Sequence, residues 1–150
     1  MAKPRIIKKT GCFEFYSADF STALEIPLVS GKVSAGFPSP ADDYLEMKLD
    51  IVKHMIKHPA ATFFVRVTGT SMKEAGIQDG DLLVVDRSLQ PKSGSIAVCL
   101  INGEFTVKRL LKTGKKLMLQ PENADFKPIE IKDGSEFEVW GIVSYVIHKA

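Results

Sequence analysis

The sequence predicts a mainly β domain, preceded by a short helical segment and an extended N-terminal arm, and three observations carry that prediction. Beyond Pro59 the chain breaks into short runs rich in Val, Ile, Phe and Leu, separated by Gly, Asp, Asn and Pro, which is the texture of strands joined by tight turns. One separator, Asn102-Gly103, is the dipeptide that closes a two-residue hairpin. Before Pro59, apolar residues recur at helical intervals instead.

Taken in order, residues 1–36 show no sustained period. They mix the cations Lys3, Arg5, Lys8 and Lys9 with Phe13, Phe15, Tyr16 and Phe20 and the apolar group Ile26-Pro27-Leu28-Val29. Such a segment is too apolar for a pure linker and is expected to lie as an arm against its own domain or a partner chain; its basic start reads as solvated. Order begins at Ser39-Pro40-Ala41-Asp42-Asp43, where Ser39 can cap a helix, Pro40 suits a first turn and the aspartates oppose the positive end of the dipole. Leu45, Leu49, Val52 and Ile56 then line one helical face, so a helical segment is expected over roughly 40–57. Asp50 can cap a second short helix and break it in two, and His58-Pro59 ends it. Six strands follow, at Thr62–Thr68, Leu82–Asp86, Ser95–Ile101, Glu104–Leu111, Lys116–Gln120 and Phe137–His148, with turns at Asp79-Gly80, Asn102-Gly103 and Thr113-Gly114. No repeat, low-complexity tract or second domain boundary interrupts them.

Bulk properties exclude several classes. A chain of 150 residues with balanced hydrophobic and charged content fits one folded core. A net charge of +2 is too small to make the whole chain a polyanion binder, and Lys108, Arg109, Lys112, Lys115 and Lys116, a basic hairpin without interleaved aromatics, read as solvated surface rather than as a nucleic-acid face. The two cysteines, Cys12 and Cys99, make no disulfide framework. Apolar runs fall far short of the roughly 20 residues that span a bilayer, and the start lacks the apolar core of a secretory signal, so a cytoplasmic, reducing location is expected. His54 and His58 stand four apart, but Met55 occupies the position where a zinc protease needs glutamate. Asp79, Asp81 and Asp86 fit a turn followed by a strand better than a calcium loop. No metal or cofactor is called for.

Two residues carry possible chemistry. Ser71, in Gly69-Thr70-Ser71-Met72, follows a predicted strand, where glycine can turn the chain and present a hydroxyl; alone, this is ordinary turn composition. A nucleophilic hydroxyl needs a base, and the three histidines lie outside the strand-rich middle. A lysine can serve if burial lowers its pKa from about 10.4 to about 7 or 8, a shift that costs on the order of 4 kcal/mol. Lys108 lies within Phe105-Thr106-Val107-Lys108-Arg109-Leu110. Alternation puts it on the face of Thr106 and Leu110, which leaves its burial open, and by pattern alone a surface lysine is the usual case.

Gly69-Thr70-Ser71-Met72, then Asp79-Gly80-Asp81-Leu82-Leu83-Val84-Val85-Asp86, then Gly103-Glu104-Phe105-Thr106-Val107-Lys108-Arg109-Leu110 resemble, in that order, the catalytic domain of LexA-like self-cleaving proteins. The upstream Ala35-Gly36-Phe37-Pro38-Ser39-Pro40-Ala41-Asp42-Asp43-Tyr44 is similar to the cleavage region of UmuD and its plasmid-borne relatives. The resemblance covers the chain from about residue 29 onward. It implies a compact β domain of twisted antiparallel sheets, Ser71 as nucleophile, Lys108 as general base, Ala35-Gly36 as the scissile pair, and a backbone oxyanion site that includes the Ser71 amide. It divides the chain into an arm, residues 1–35, removed by self-cleavage, and a peptidase and dimerisation domain, residues 36–150. It also implies an SOS DNA-damage role: cleavage promoted by a RecA filament on single-stranded DNA, a homodimer, and association of the shortened form with the catalytic subunit of a Y-family translesion polymerase, with little or no direct DNA binding. The arm is somewhat longer than this type requires. Three alternatives are weaker: a LexA-type repressor needs a helix-turn-helix before the cut, and the first 35 residues show no pair of helices; a signal peptidase needs a membrane segment; a non-enzymatic polymerase-binding β domain would have no use for Ser71, Lys108 and an intact Ala35-Gly36 bond together.

Overall fold

The computed structural model describes residues 6–10, 13–17, 23, 25–29 and 46–150; the scissile pair Ala35-Gly36 and the expected helix start at Ser39 lie outside them. The chain forms two units, one made of residues 1–18 and 58–150, the other of residues 19–57.

The larger unit is mainly β. In chain order its strands are β1 (Ile6–Thr10), β2 (Phe13–Tyr16), β5 (Thr62–Val67), β6 (Leu82–Asp86), β7 (Ile96–Ile101), β8 (Glu104–Thr113), β9 (Lys116–Gln120), β10 (Ile129–Ile131) and β11 (Phe137–Ile147), while β3 (Glu25–Val29) and β4 (Glu46–Asp50) belong to the smaller unit. The nine form one sheet in the order β1-β2-β5-β6-β11-β7-β8-β9-β10, every neighbouring pair antiparallel. All six strands expected beyond Pro59 are present, with ends shifted by at most two residues. Asn102 and Gly103 both take positive φ, 45° and 83°, the geometry whose twist matches the β7–β8 hairpin.

Alternation along β6 and β7 is weak because both are covered on two faces: Leu83, Val84, Val85, Ala97, Val98 and Cys99 are all fully buried. One core cluster gathers Phe13, Phe15, Val65, Val67, Met72, Ile77, Leu83, Val85, Val98 and Val107. A second holds Ala97, Cys99, Leu110, Leu119 and Ile142. The final strand, β11, lies between β6 and β7 and shifts register at Val139/Gly141 and at Val143/Tyr145. At Gly141 a Cβ would come within 2.5 Å of Val85 Cγ1, so glycine is what lets the two strands approach there.

The arm contains structure that the sequence reading missed. β2 pairs with β5 (Phe13 opposite Val67, Phe15 opposite Val65), and Phe15 is 2% exposed, its ring 4.7 Å from Phe105 and 5.0 Å from Trp140. The signal was there in Phe13-Glu14-Phe15-Tyr16, a short alternation after Gly11.

In the smaller unit β3 and β4 pair antiparallel, Ile26 opposite Leu49 and Leu28 opposite Met47. The expected helix over 40–57 is therefore corrected: Glu46–Asp50 is strand, and helix α1 spans only Ile51–Met55. A ladder to a distant segment overrides the helical spacing of Leu45, Leu49 and Val52. Pro27 is admissible because a two-stranded ribbon consists of edges. Asp50 does cap the helix, accepting from Val52 N at 3.1 Å and Lys53 N at 3.2 Å. Among the described residues before position 36, the elements are strands, not the helices of a helix-turn-helix, and no helix is long and apolar enough to cross a membrane.

Candidate active site

Strand β5 ends at Val67, whose N–H donates to Asp81 O (3.0 Å) and whose carbonyl accepts from Gly80 N (2.8 Å). The Asp79-Gly80 turn is thereby stitched to the strand end. Gly69 follows with φ 108°, a conformation that favours glycine, and its N–H donates to Asp79 Oδ1 at 2.8 Å. This crossing hydrogen bond starts the turn that carries Ser71. The turn closes through Lys73 N to Thr70 O (3.2 Å) and Ile77 N to Met72 O (3.2 Å), with Met72 buried beneath it.

A second segment clamps the turn from the far side. Asn123, 3% exposed, donates from Nδ2 to Thr70 O at 2.7 Å. Its neighbour Glu122 accepts at its carbonyl from Glu74 N (2.7 Å), and its N–H points at Met72 Sδ (3.4 Å). The Glu122 carboxylate is in turn paired with Arg109 Nε, whose guanidinium also donates to Gly94 O at 2.6 Å. Residues on both sides of Ser71 are thus tied to the loop after β9. Sequence reasoning missed Glu122 and Asn123, because a polar pair after Pro121 looks like any loop.

Lys108 enters from β8, opposite Ala97 on β7. It is 7% exposed, its Nζ lies 3.2 Å from Ser71 Oγ, and the Val107 carbonyl accepts from Nζ at 3.1 Å. Burial pulls the Lys108 amine below its ordinary value. Cys99 opposes this weakly, but burial pushes the Cys99 thiol up to about 12, so at neutral pH it is uncharged and offers no counter-ion. The structure therefore brings Ser71 and Lys108 together and buries the lysine, a point that alternation had left open. Beside Oγ lies a cleft of about 30 Å³ walled by Phe13, Val67, Gly69, Met72 and Val107.

The grouping of Lys108 and Arg109 with the basic hairpin is corrected: Lys108 is buried and Arg109 is ion-paired. Lys112, Lys115 and Lys116 instead rim an apolar groove floored by Leu110, Leu117 and Phe137. Asp79, Asp81 and Asp86 have turn and packing roles, Asp81 accepting from Gln78 N (2.7 Å) and meeting His148 Nδ1 (2.7 Å). Asp86 accepts from Ser88 N and Oγ and meets His58 Nδ1 at 2.6 Å. His58 lies beyond the end of α1, so it does not share a helix with His54. Among the described residues no cluster of three or more His, Cys, Asp or Glu is placed to hold a metal.

A serine hydroxyl set against a buried amine is an arrangement in which a base stands within reach of a nucleophile's proton. The chain matches the Peptidase S24-like family over residues 27–144, most of its length, and it belongs to that family. It is 45% identical to the protein MucA of Salmonella typhimurium, over 87% of this chain and 90% of that one. It is 47% identical to the protein ImpA of the same organism, over 82% and 83%. Both are UmuD-like proteins. The LexA repressor of Idiomarina loihiensis is 39% identical over 86% of this chain, which spans 62% of the repressor.

Proposed function

We propose that this chain is a self-cleaving protease of the SOS response in which Ser71 attacks the Ala35-Gly36 bond and Lys108 is the general base. The observation that carries the reading is the 3.2 Å contact between a buried Lys108 Nζ and Ser71 Oγ. Desolvation favours the neutral amine, and a neutral amine has the lone pair that an ammonium lacks. It accepts the Ser71 proton as Oγ bonds to the Ala35 carbonyl carbon. The oxyanion then forms next to the turn amides, with the Ser71 N–H as the first donor to test. Collapse breaks the C–N bond, and Lys108 returns the proton to the Gly36 nitrogen. Water, deprotonated by the same amine, then releases the acyl group from Ser71. Small residues on both sides of the bond let an extended segment approach the serine closely, and Gly36 offers no side chain to obstruct attack.

In this reading residues 1–35 are the removable arm and residues 36–150 the product, which pairs with itself in the cytoplasm and joins the catalytic subunit of a Y-family translesion polymerase. A RecA filament on single-stranded DNA speeds the cut by favouring the conformation in which the bond reaches Ser71. The family and the MucA and ImpA relatives support this setting. The test is incubation of the purified chain from neutral pH to about 10, with intact-mass analysis beside Ser71→Ala and Lys108→Ala. A fragment beginning at Gly36, growing with pH and absent from both variants, is expected. A chain that stays whole at every pH, with the filament added, overturns the protease reading.

A further inference from the structure

The segment that the proposed cut would detach is also part of the sheet. Strand β2 fills the edge of β5 through four residue pairs, Phe13 to Tyr16 against Val67 to Phe64, and it buries Phe13 and Phe15 in the same core cluster as Val65, Val67 and Met72. Phe15 packs against Phe105 and Trp140, and Phe63 also meets Trp140 at 5.3 Å. Phe13 lines the cleft beside Ser71. The bond between residues 35 and 36 falls in the connection between β3 and β4, so breaking it leaves β2 on one product and its acceptor, β5, on the other.

We propose that the edge of β5 is a strand-docking site for a Phe-x-Phe segment, and that after the cut residues 1–35 stay bound there until a Phe13-x-Phe15 strand from a second copy of this chain replaces them. The inference rests on the cleavage reading only for which bond is broken. Backbone pairing gives such a site its affinity, and the pockets for alternate side chains give it selectivity. The occupant follows from the two ring sites that flank Glu14: Phe15 meets Phe105 and Trp140, and Phe13 is buried in the cluster with Val67 and Met72, so a second copy's own Phe-x-Phe strand fits both. Two consequences follow. Cutting and release are separate steps, the second dependent on protein concentration. Replacement also returns a Phe13 to the wall beside Ser71, so the cleft is walled in the same way before and after the exchange.

The experiment uses the full chain carrying Ser71→Ala and a recognition sequence for a site-specific protease inserted between residues 35 and 36, so its outcome does not depend on Ser71 chemistry. After digestion at micromolar concentration, size exclusion with mass analysis should find fragment 1–35 eluting with the 36–150 product. A labelled synthetic peptide of residues 6–17 should displace it, and a peptide with Phe13→Ser and Phe15→Ser should fail to do so even at tenfold higher concentration. A fragment that separates within the run, or equal displacement by both peptides, overturns the proposal. Failure of the protease reading looks different: the unmodified chain stays whole while the digested one still retains its fragment.

Discussion

Lys108 shows how one side chain can carry a cost and a use together. Its folded pKa is lowered by burial, so between that value and the ordinary 10.5 the unfolded chain holds a proton that the folded one has lost, and stability rises with pH across this window. Lys108→Met should therefore stabilise the fold at pH 7, by about 1.4 kcal/mol for each unit by which burial lowers the amine. The gain should shrink as pH approaches 10.5; urea unfolding at pH 7, 9 and 10.5 measures both. Asn123 is a different case, since it touches Thr70 O rather than the hydroxyl. Its loss should loosen the Ser71 turn and slow self-cleavage about 10²-fold while leaving the pH midpoint unchanged, because the surroundings of Lys108 stay intact. A rate–pH profile of Asn123→Ala beside the unaltered chain checks this, and a moved midpoint would show that the clamp also shapes the lysine site.

Among the elements, the strands beyond Pro59 were legible because each is a short β-branched or aromatic run closed by a turn residue with a definite backbone task, as at Asn102-Gly103. The short strands were not. Glu46–Asp50 has helical spacing, and it becomes a strand only because Ile26–Val29 pairs with it; Ile129–Ile131 is three residues long and is strand only by pairing with β9. The central position of β11 was equally hidden, although Gly141 marks it in hindsight. Gly141→Ala should force β11 away from Val85, costing about 1–3 kcal/mol, read as a lower midpoint in urea with an unchanged slope.

Over the whole molecule, Asp79, Asp81 and Asp86 hold turns beside the sheet. Burial pushes the Asp86 carboxyl up, but hydrogen bonds from Ser88 Oγ, the His58 ring and Ser88 N–H outweigh it and hold Asp86 below 3.8. The stability this adds is present in full above the ordinary carboxylate value and is lost as pH falls through the lower folded value. Asp86→Asn should thus cost about 1–3 kcal/mol at pH 7, with the two proteins converging in acid below the folded value; paired denaturation series at neutral and acid pH decide it. His58 also ties the segment after α1 to β6 through Asp86, while Arg87 holds β11 by donating to Trp140 O at 2.9 Å.

By itself the sequence determined the β texture, the hairpin at Asn102-Gly103 and the Asp50 cap, since these are written in local composition, while Ser71 and Lys108 were singled out by the resemblance of their motifs to LexA-like self-cleaving proteins. Tertiary structure decided what depends on distant partners. Period-two alternation assigns a side chain to a face but says nothing of what covers that face, so the burial of Lys108 appeared only once β7, β8 and the Ser71 turn were brought together. The clamp by Asn123, more than fifty residues from Ser71, and the docking of Phe13 and Phe15 on β5 had the same origin. Each is a contact between segments far apart in the chain, and its energy is absent from any local window.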